Sequence, residues 1–246
     1  MKRISFIIAV LLLFVSWNQD SSEFYIIDGQ FEGYEGDIFL IRALHSDYYL
    51  NNFVEDSATV SDGKFQFRIS KNNNNPLPFF IRSGNSMSSG FVMETKDQEL
   101  IIKEINRMTK PSIDCDNSTL HSEDLLLYEK RKSSIGEITS SIDRIHSSGV
   151  SSDSIQKLTD IERAKYSEKT ELIIKDFARD YPASYVSFWY LVMSVEHEGY
   201  SPAIEEAYQN LAPEIRESEV AKVFEQRMLI KKMSQTGSYF QKFETK

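Results

Sequence analysis

The sequence predicts an α+β protein, with a small antiparallel β-sandwich in the N-terminal half and an α-helical domain in the C-terminal half. Apolar and polar residues alternate up to about residue 103, whereas apolar residues recur every three or four positions beyond about residue 120. The composition, 41% hydrophobic and 12% aromatic, is typical of a chain that folds around a core. We expect a signal peptide at residues 1–22, the β-sandwich domain at 23–105, a linker at 106–120 and the helical domain at 121–237.

The N-terminus has the layout of a secretory signal peptide. Lys2 and Arg3 form a positive start, and residues 4–15 are apolar except for Ser5. This run is shorter than the roughly 20 apolar residues that a membrane-spanning helix needs, so we expect membrane contact only if the segment stays uncleaved. The sequence therefore predicts an exported protein of the periplasm or outer-envelope space, with the cleavage point left open within residues 16–22.

The protein is acidic, with a formal net charge of −9. Removal of residues 1–22 makes the charge −10, because that segment carries Lys2, Arg3 and Asp20. Affinity for nucleic acids and for anionic lipids comes mainly from clustered lysine and arginine. We therefore expect no nucleic-acid partner.

Short strand-like segments follow one another from residue 24 onward. Their predicted ranges are 24–31, 37–42, 57–60, 64–69, 79–82, 90–93 and 99–103. Phe65, Phe67 and Ile69 alternate with polar residues, so one face of their strand should be buried. Asp62-Gly63 suits the positive φ angles of a tight turn, which predicts that the flanking segments pair as a hairpin. About seven short strands separated by turns are typical of a small sandwich.

Two long helices are predicted to form an antiparallel hairpin. The first spans about residues 122–147, and its apolar stripe consists of Ile135, Ile138, Ile142 and Ile145. The second ends at Tyr181-Pro182, because a proline disfavours helix in the residue before it. Its predicted stripe consists of Ile155, Leu158, Ile161, Leu172 and Phe177.

Three further helices are predicted. The one at residues 184–195 is apolar and aromatic nearly all round, so we expect it to be the buried centre of the domain. A fourth helix begins at Ser201 with Pro202 in its first turn. Ser218 should cap a fifth helix that runs to Gln235.

Cys115 is the only cysteine, and this count excludes an intramolecular disulfide, a Cys-x-x-Cys redox pair and a cysteine zinc site. In an oxidising compartment a lone cysteine is either buried and inert or paired between chains. Its neighbours Asp114 and Asp116 would not lower the pKa of the thiol, which favours an inert side chain.

No other motif predicts a catalytic residue, a cofactor-binding residue or a metal ligand. Residues 196–198 (EHE) could ligate a metal, but they lie at a predicted helix end, where polar residues are expected. Residues 114–125 lack the glycine and the glutamate of a calcium loop. Residues 84–90 lack the glycine spacing of a nucleophile elbow. His45, Tyr48 and Tyr49 could line a cleft between the sheets, although ordinary packing of the tyrosines is favoured.

Several segments together resemble one protein family. In the β half they are residues 27–31 (IDGQF), 38–41 (IFLI), 56–60 (DSATV) and 62–67 (DGKFQF). In the helical half they are residues 181–186 (YPASYV) and 208–216 (YQNLAPEIR) with Ser218. Their order and spacing are similar to the N-terminal domain of unknown function and the helical connector of TlpA-type thioredoxin-like disulfide reductases of Gram-negative envelopes.

The resemblance covers the accessory part of that family and not its redox site, so it implies an accessory role without redox chemistry. The family carries a Trp-Cys-x-x-Cys site in a thioredoxin domain after the connector, and no segment of this sequence matches that site. We therefore expect a non-catalytic, exported binding or scaffolding module of the cell envelope, without a cofactor. The alternative is an accessory subunit of a thiol-disulfide oxidoreductase whose thioredoxin domain is a separate chain. A thioredoxin-like reductase is then the expected partner.

Overall fold

The computed structural model describes residues 23–42, 54–71, 74–106, 110–114 and 119–235. These residues form an α+β protein, with two sheets of mostly antiparallel strands in the N-terminal half and a helical C-terminal part, as predicted. The predicted signal peptide, the residues His45, Tyr48 and Tyr49, and Cys115 lie outside the described residues. None of the helices in the described ranges has both the length and the apolar character needed to cross a membrane.

The first sheet has the strand order β4-β1-β8-β9. Its strands are β1 (Phe24–Gln30), β4 (Lys64–Ser70), β8 (Gln98–Ile101) and β9 (Ser112–Asp114). β1 pairs antiparallel with β4 but parallel with β8, which departs from the wholly antiparallel prediction. A parallel pair needs a long crossover, and here the chain between β1 and β8 passes through the second sheet. β9 lies within the predicted linker and pairs with β8.

The second sheet is antiparallel and has the order β3-β2-β5-β6, with β7 also paired to β5. Its strands are β2 (Gly36–Arg42), β3 (Val54–Val60), β5 (Leu77–Ser83), β6 (Ser86–Met87) and β7 (Phe91–Met93). Alternate residues of both sheets enter one buried apolar cluster, among them Ile27 and Phe67 of the first sheet and Leu40 and Ile81 of the second.

The turn at Asp62-Gly63 forms as predicted, with φ angles of 51° and 69°. The predicted hairpin is wrong beyond the bridge between Ser61 and Lys64, because β3 pairs with β2 and β4 pairs with β1. The turn is held from the β1–β2 connection, where Phe31 N donates to Gly63 O (2.8 Å) and Glu35 Oε1 accepts from Asp62 N (3.0 Å). The two strands therefore diverge into different sheets.

Six helices are described in the C-terminal part: α1 (Leu120–Ser147), α2 (Ser152–Asp180), α3 (Tyr185–Glu198), α4 (Pro202–Gln209), α5 (Pro213–Arg216) and α6 (Glu219–Gln235). The predicted starts of the third and fourth helices are confirmed, and both are serine caps, because Ser184 Oγ accepts from Val186 N and Ser201 Oγ accepts from Ala203 N. Ser218 Oγ likewise accepts from Ala221 N at the start of α6. The four-residue α5 was not predicted.

The apolar stripe predicted for α2 is wrong along most of the helix. Leu158, Ile161 and Leu172 are 42%, 52% and 57% exposed, and only Phe177 of that stripe is buried. The buried side chains of α2 are instead Thr159, Thr170, Ile174, Phe177 and Ala178. The isoleucines predicted to form the stripe of α1 are only half-buried. α1 and α2 are both longer than α3, so α3 covers only part of the hairpin that these two helices form.

α3 is the buried centre of the helical part, as predicted. Phe188, Trp189, Leu191, Val192 and Val195 are at most 1% exposed. The helix also reaches the β half, because the Trp189 indole donates to the carbonyl oxygen of Pro76 and the Tyr185 hydroxyl donates to Asn75 Oδ1 (2.5 Å). One apolar cluster therefore runs through both halves of the chain.

Candidate functional site

A cluster of buried polar side chains lies where β9 meets the first turns of α1. Lys110 Nζ and Asp124 Oδ2 form an ion pair at 2.5 Å, and their side chains are 2% and 1% exposed. The hydroxyl of Tyr190, on α3, donates to the other carboxylate oxygen, Oδ1, at 3.2 Å. His121 completes the cluster, because its Nε2 accepts from the backbone N–H of Ile113 at 3.4 Å. The cluster joins the strand, α1 and α3.

The charge states in this cluster follow from burial and from the neighbouring groups. Burial alone would lower the pKa of Lys110, but Tyr190 and Asp124 outweigh it, so the pKa is raised and the ammonium is retained. Burial raises the pKa of Tyr190, and Asp124 raises it further, which keeps the phenol neutral. Burial lowers the pKa of His121 below 6.5, so the imidazole is neutral at pH 7.

A groove of about 500 Å³ opens beside this cluster, between α1, α2 and α3. We call it the three-helix groove. Its lining consists of Arg131, Tyr166, Ser167, Thr170, Ile174, Tyr190, Met193, Ser194, His197 and Glu198. Tyr190 belongs to both features, since its hydroxyl binds Asp124 and the residue also lines the groove.

Two polar groups of the groove lack partners among the described residues. The guanidinium of Arg131 stacks over the Tyr190 ring, with 5.1 Å between its central carbon and the ring centroid. Its Nε is buried without a hydrogen-bond partner in the described part of the chain. Thr170 is 7% exposed, and its hydroxyl oxygen is buried and equally without such a partner. Buried polar groups are usually satisfied, so these two groups mark the wall of this groove as a place where a polar partner is missing.

The remaining polar groups of the groove are more accessible. The Ser167 hydroxyl donates to Glu198 Oε2 at 3.0 Å, which engages one oxygen of that carboxylate. His197 and Glu198 lie at the exposed end of α3. Of residues 196–198, which the sequence did not favour as a metal site, Glu196 is 4% exposed in its side chain and accepts from Arg227 Nε through Oε1 (2.8 Å). Among the described residues, no group of three or more His, Cys, Asp or Glu side chains is arranged to hold a metal ion.

A larger groove, of about 630 Å³, lies between the outer parts of α1 and α2. Its lysines are engaged by its own carboxylates, because Lys165 binds Glu162 and Lys169 binds Glu137, both at 2.7 Å. Arg144 donates to Ser140 O and to Ser141 Oγ. The lysines of this groove are therefore paired with its carboxylates and Arg144 is hydrogen-bonded, whereas Arg131 in the three-helix groove has an Nε without a hydrogen-bond partner in the described residues.

The sequence did not predict either feature. Lys110 falls in the predicted linker, Asp124 and Arg131 fall on the polar positions of α1, and Thr170 interrupts the predicted stripe of α2. The sequence offers one signal, the aromatic character of α3, which indicates a core helix and which supplies Tyr190. The comparisons add no assignment, because no protein-family model, no curated protein and no solved structure matches this chain.

Proposed function

We propose that this protein is an exported, non-catalytic binding module of the cell envelope that holds a small ligand in the three-helix groove. The observation that carries the proposal is that two residues lining the groove, Arg131 and Thr170, each have a polar atom without a hydrogen-bond partner in the described residues. Both lie on long helices that pack against the domain core, so a ligand would meet a preformed site.

A binding role suits the buried cluster better than a catalytic one. The Lys110 and Asp124 side chains are nearly inaccessible and bind each other. A general acid or base must come within hydrogen-bond reach of its substrate, and groups this deeply buried do not offer that reach. Their role in this proposal is to hold α1, α3 and β9 together beneath the groove.

Export is supported by the N-terminal sequence, in which Lys2 and Arg3 precede the apolar run of residues 4–15. We further propose that the two sheets pack face to face as a β-sandwich. This arrangement is supported by the alternation of buried residues in β4 and by the apolar cluster common to both sheets. In this proposal the β half is the scaffold against which α3 is fixed.

Two measurements test the proposal. Residues 1–30 fused to alkaline phosphatase should give an active reporter, because that enzyme needs the oxidising compartment, and an inactive reporter would contradict export. The exported chain, labelled with ¹⁵N, is then titrated with small neutral and charged aromatic probes. We expect amide shifts concentrated at the lining of the three-helix groove. Shifts confined to other surfaces, or none, would contradict the binding site.

The second candidate is an accessory subunit of a thiol-disulfide oxidoreductase whose thioredoxin domain is a separate chain. It is favoured by the resemblance of residues 181–186 and 208–216 to the connector of TlpA-type reductases. A pull-down from envelope extract that recovers a thioredoxin-like protein, together with insulin reduction by the pair but not by this chain alone, would support it. Recovery of no such protein would remove it.

A further inference from the structure

We propose that the ligand of the three-helix groove is a small organic carboxylate with an apolar or aromatic body. This inference rests on the proposed function and adds the chemical class of the ligand. The group that selects the carboxylate is Arg131, whose guanidinium carries a fixed charge and a fork of donors that matches a carboxylate.

The charge of Arg131 is not cancelled by Asp124, the acidic residue of the buried cluster. Asp124 is already paired with Lys110, and its second oxygen accepts from Tyr190. The phenol of Tyr190 and the imidazole of His121 are both neutral at pH 7, so they add no charge. Lys110 and Asp124 therefore cancel each other, and the positive charge of Arg131, which lines the groove, remains uncompensated by the cluster. In a chain with a net charge of −9, such a site favours an anion that can approach from outside.

Glu198 is the carboxylate that shares the groove with Arg131. It accepts a hydrogen bond from Ser167 on α2 and lies at the exposed last residue of α3. Because it is exposed, solvent screens its charge more strongly than the charge of the partly buried Arg131. Glu198 therefore weakens the preference for an anion without reversing it.

Thr170 adds a second contact for a carboxylate. Its hydroxyl oxygen is buried and has no partner among the described residues, so rotation of the side chain towards the groove would let it donate to a bound carboxylate. The half-buried Met193 supplies apolar surface beside these donors, next to the nearly buried Tyr190 and Ile174. An aromatic body suits this surface, because the flexible Met193 side chain can adapt to a ring and contact it through sulfur.

Three probes of matched shape test the inference: 2-naphthoate, the neutral 2-naphthamide and the cationic 2-naphthamidine. Each is titrated into the ¹⁵N-labelled exported chain, and affinity is taken from amide shifts at the groove lining. We expect 2-naphthoate to bind most tightly. Arg131→Gln should weaken it by about tenfold or more, as loss of a charge-assisted hydrogen bond implies. Thr170→Val should weaken it by about threefold to tenfold.

Arg163→Gln is the matched control, because it removes the same charge from an exposed position of α2 that does not line the groove. Arg131→Lys keeps the charge and should keep part of the preference for the anion even if Arg131→Gln is poorly folded. Equal binding of all three probes in the groove would overturn the carboxylate while leaving the groove as a ligand site. Absence of groove shifts with every probe would overturn the proposed function as well.

Discussion

The indole Nε1 of Trp189 donates a hydrogen bond of 2.8 Å to the carbonyl oxygen of Pro76, across 113 residues of sequence. Trp189 is 1% exposed, so this bond lies in the interior between the helical part and the β half. It fixes α3 against the start of β5. Because the next residue of α3, Tyr190, lines the three-helix groove, the bond also helps to position that groove.

Replacing this indole should weaken the whole fold. Trp189→Phe removes the donor and leaves the Pro76 carbonyl buried without it, so we expect the free energy of unfolding to fall by about 1–3 kcal/mol. Urea denaturation followed by far-UV circular dichroism measures the change. Tyr185→Phe is the control, because its bond to Asn75 is only part-buried and should cost less. Equal losses in the two variants would contradict the structural role of the indole.

Gly29 and Phe65 form a second close relationship, since they are cross-strand partners in β1 and β4. A Cβ on Gly29 would overlap the Phe65 ring, which lies over the glycine backbone. Gly29→Ala should therefore lower stability by about 1–3 kcal/mol through overpacking. In a Phe65→Ala background, Gly29→Ala should lower stability much less.

Gly136 lies in open space on α1, so Gly136→Ala should instead raise stability by about 0.5–1 kcal/mol.

The ion pair of Lys110 and Asp124 should respond differently to single and double replacement. Lys110→Met leaves a buried carboxylate without its cation and should cost about 3–5 kcal/mol of stability. Lys110→Met combined with Asp124→Asn removes both charges and keeps an acceptor for Tyr190. Part of the lost stability should therefore be restored. Thermal and urea unfolding of the three proteins measure this. A double variant less stable than Lys110→Met would contradict the buried pair.

His121 should make stability depend on pH in the mildly acidic range. Burial lowers its pKa in the folded state, while Asp124 opposes and Lys110 reinforces this shift, so the unfolded chain binds the proton more readily. Stability is therefore full above about pH 6.5 and falls as the pH decreases through the lowered pKa. Unfolding free energies at about pH 7.5 and about pH 5.5 should differ more in the wild type than in His121→Gln. If the two proteins showed the same difference in unfolding free energy between these pH values, His121 would be excluded as the cause of the pH dependence.

The exposed and buried faces of α2 should be separable by substitution. Leu172 is 57% exposed, so Leu172→Gln should change the free energy of unfolding by less than about 0.5 kcal/mol. Ile174 is 3% exposed, so Ile174→Ala should cost about 2–5 kcal/mol. Chemical denaturation of the two variants tests this assignment. A large loss in Leu172→Gln would restore the stripe that the sequence predicted.

Local geometry accounts for the predictions that the structure confirms. The buried face of β4 follows from the two-residue period of a strand, which needs no knowledge of the partner strand. Serine caps define the starts of α3, α4 and α6, because a capping hydroxyl binds an amide only two or three residues away. The Asp62-Gly63 turn likewise depends on the backbone freedom of two residues. These features were readable from neighbouring residues alone.

The predictions that fail are those that depend on which elements meet. A tight turn does not reveal that β3 and β4 enter different sheets, and a helical period does not reveal that α3 covers only part of α2.

By itself, the sequence determined an α+β order of strands before helices, an acidic chain with one cysteine, and the starts of its capped helices. Only the tertiary structure decided that Lys110, Asp124 and Tyr190 meet in one buried cluster and that Arg131 and Thr170 line one groove. The physical reason is distance along the chain. Periodicity and capping act over a few residues, whereas these contacts join residues up to 80 positions apart, as the packing of β9 and three helices brings them together.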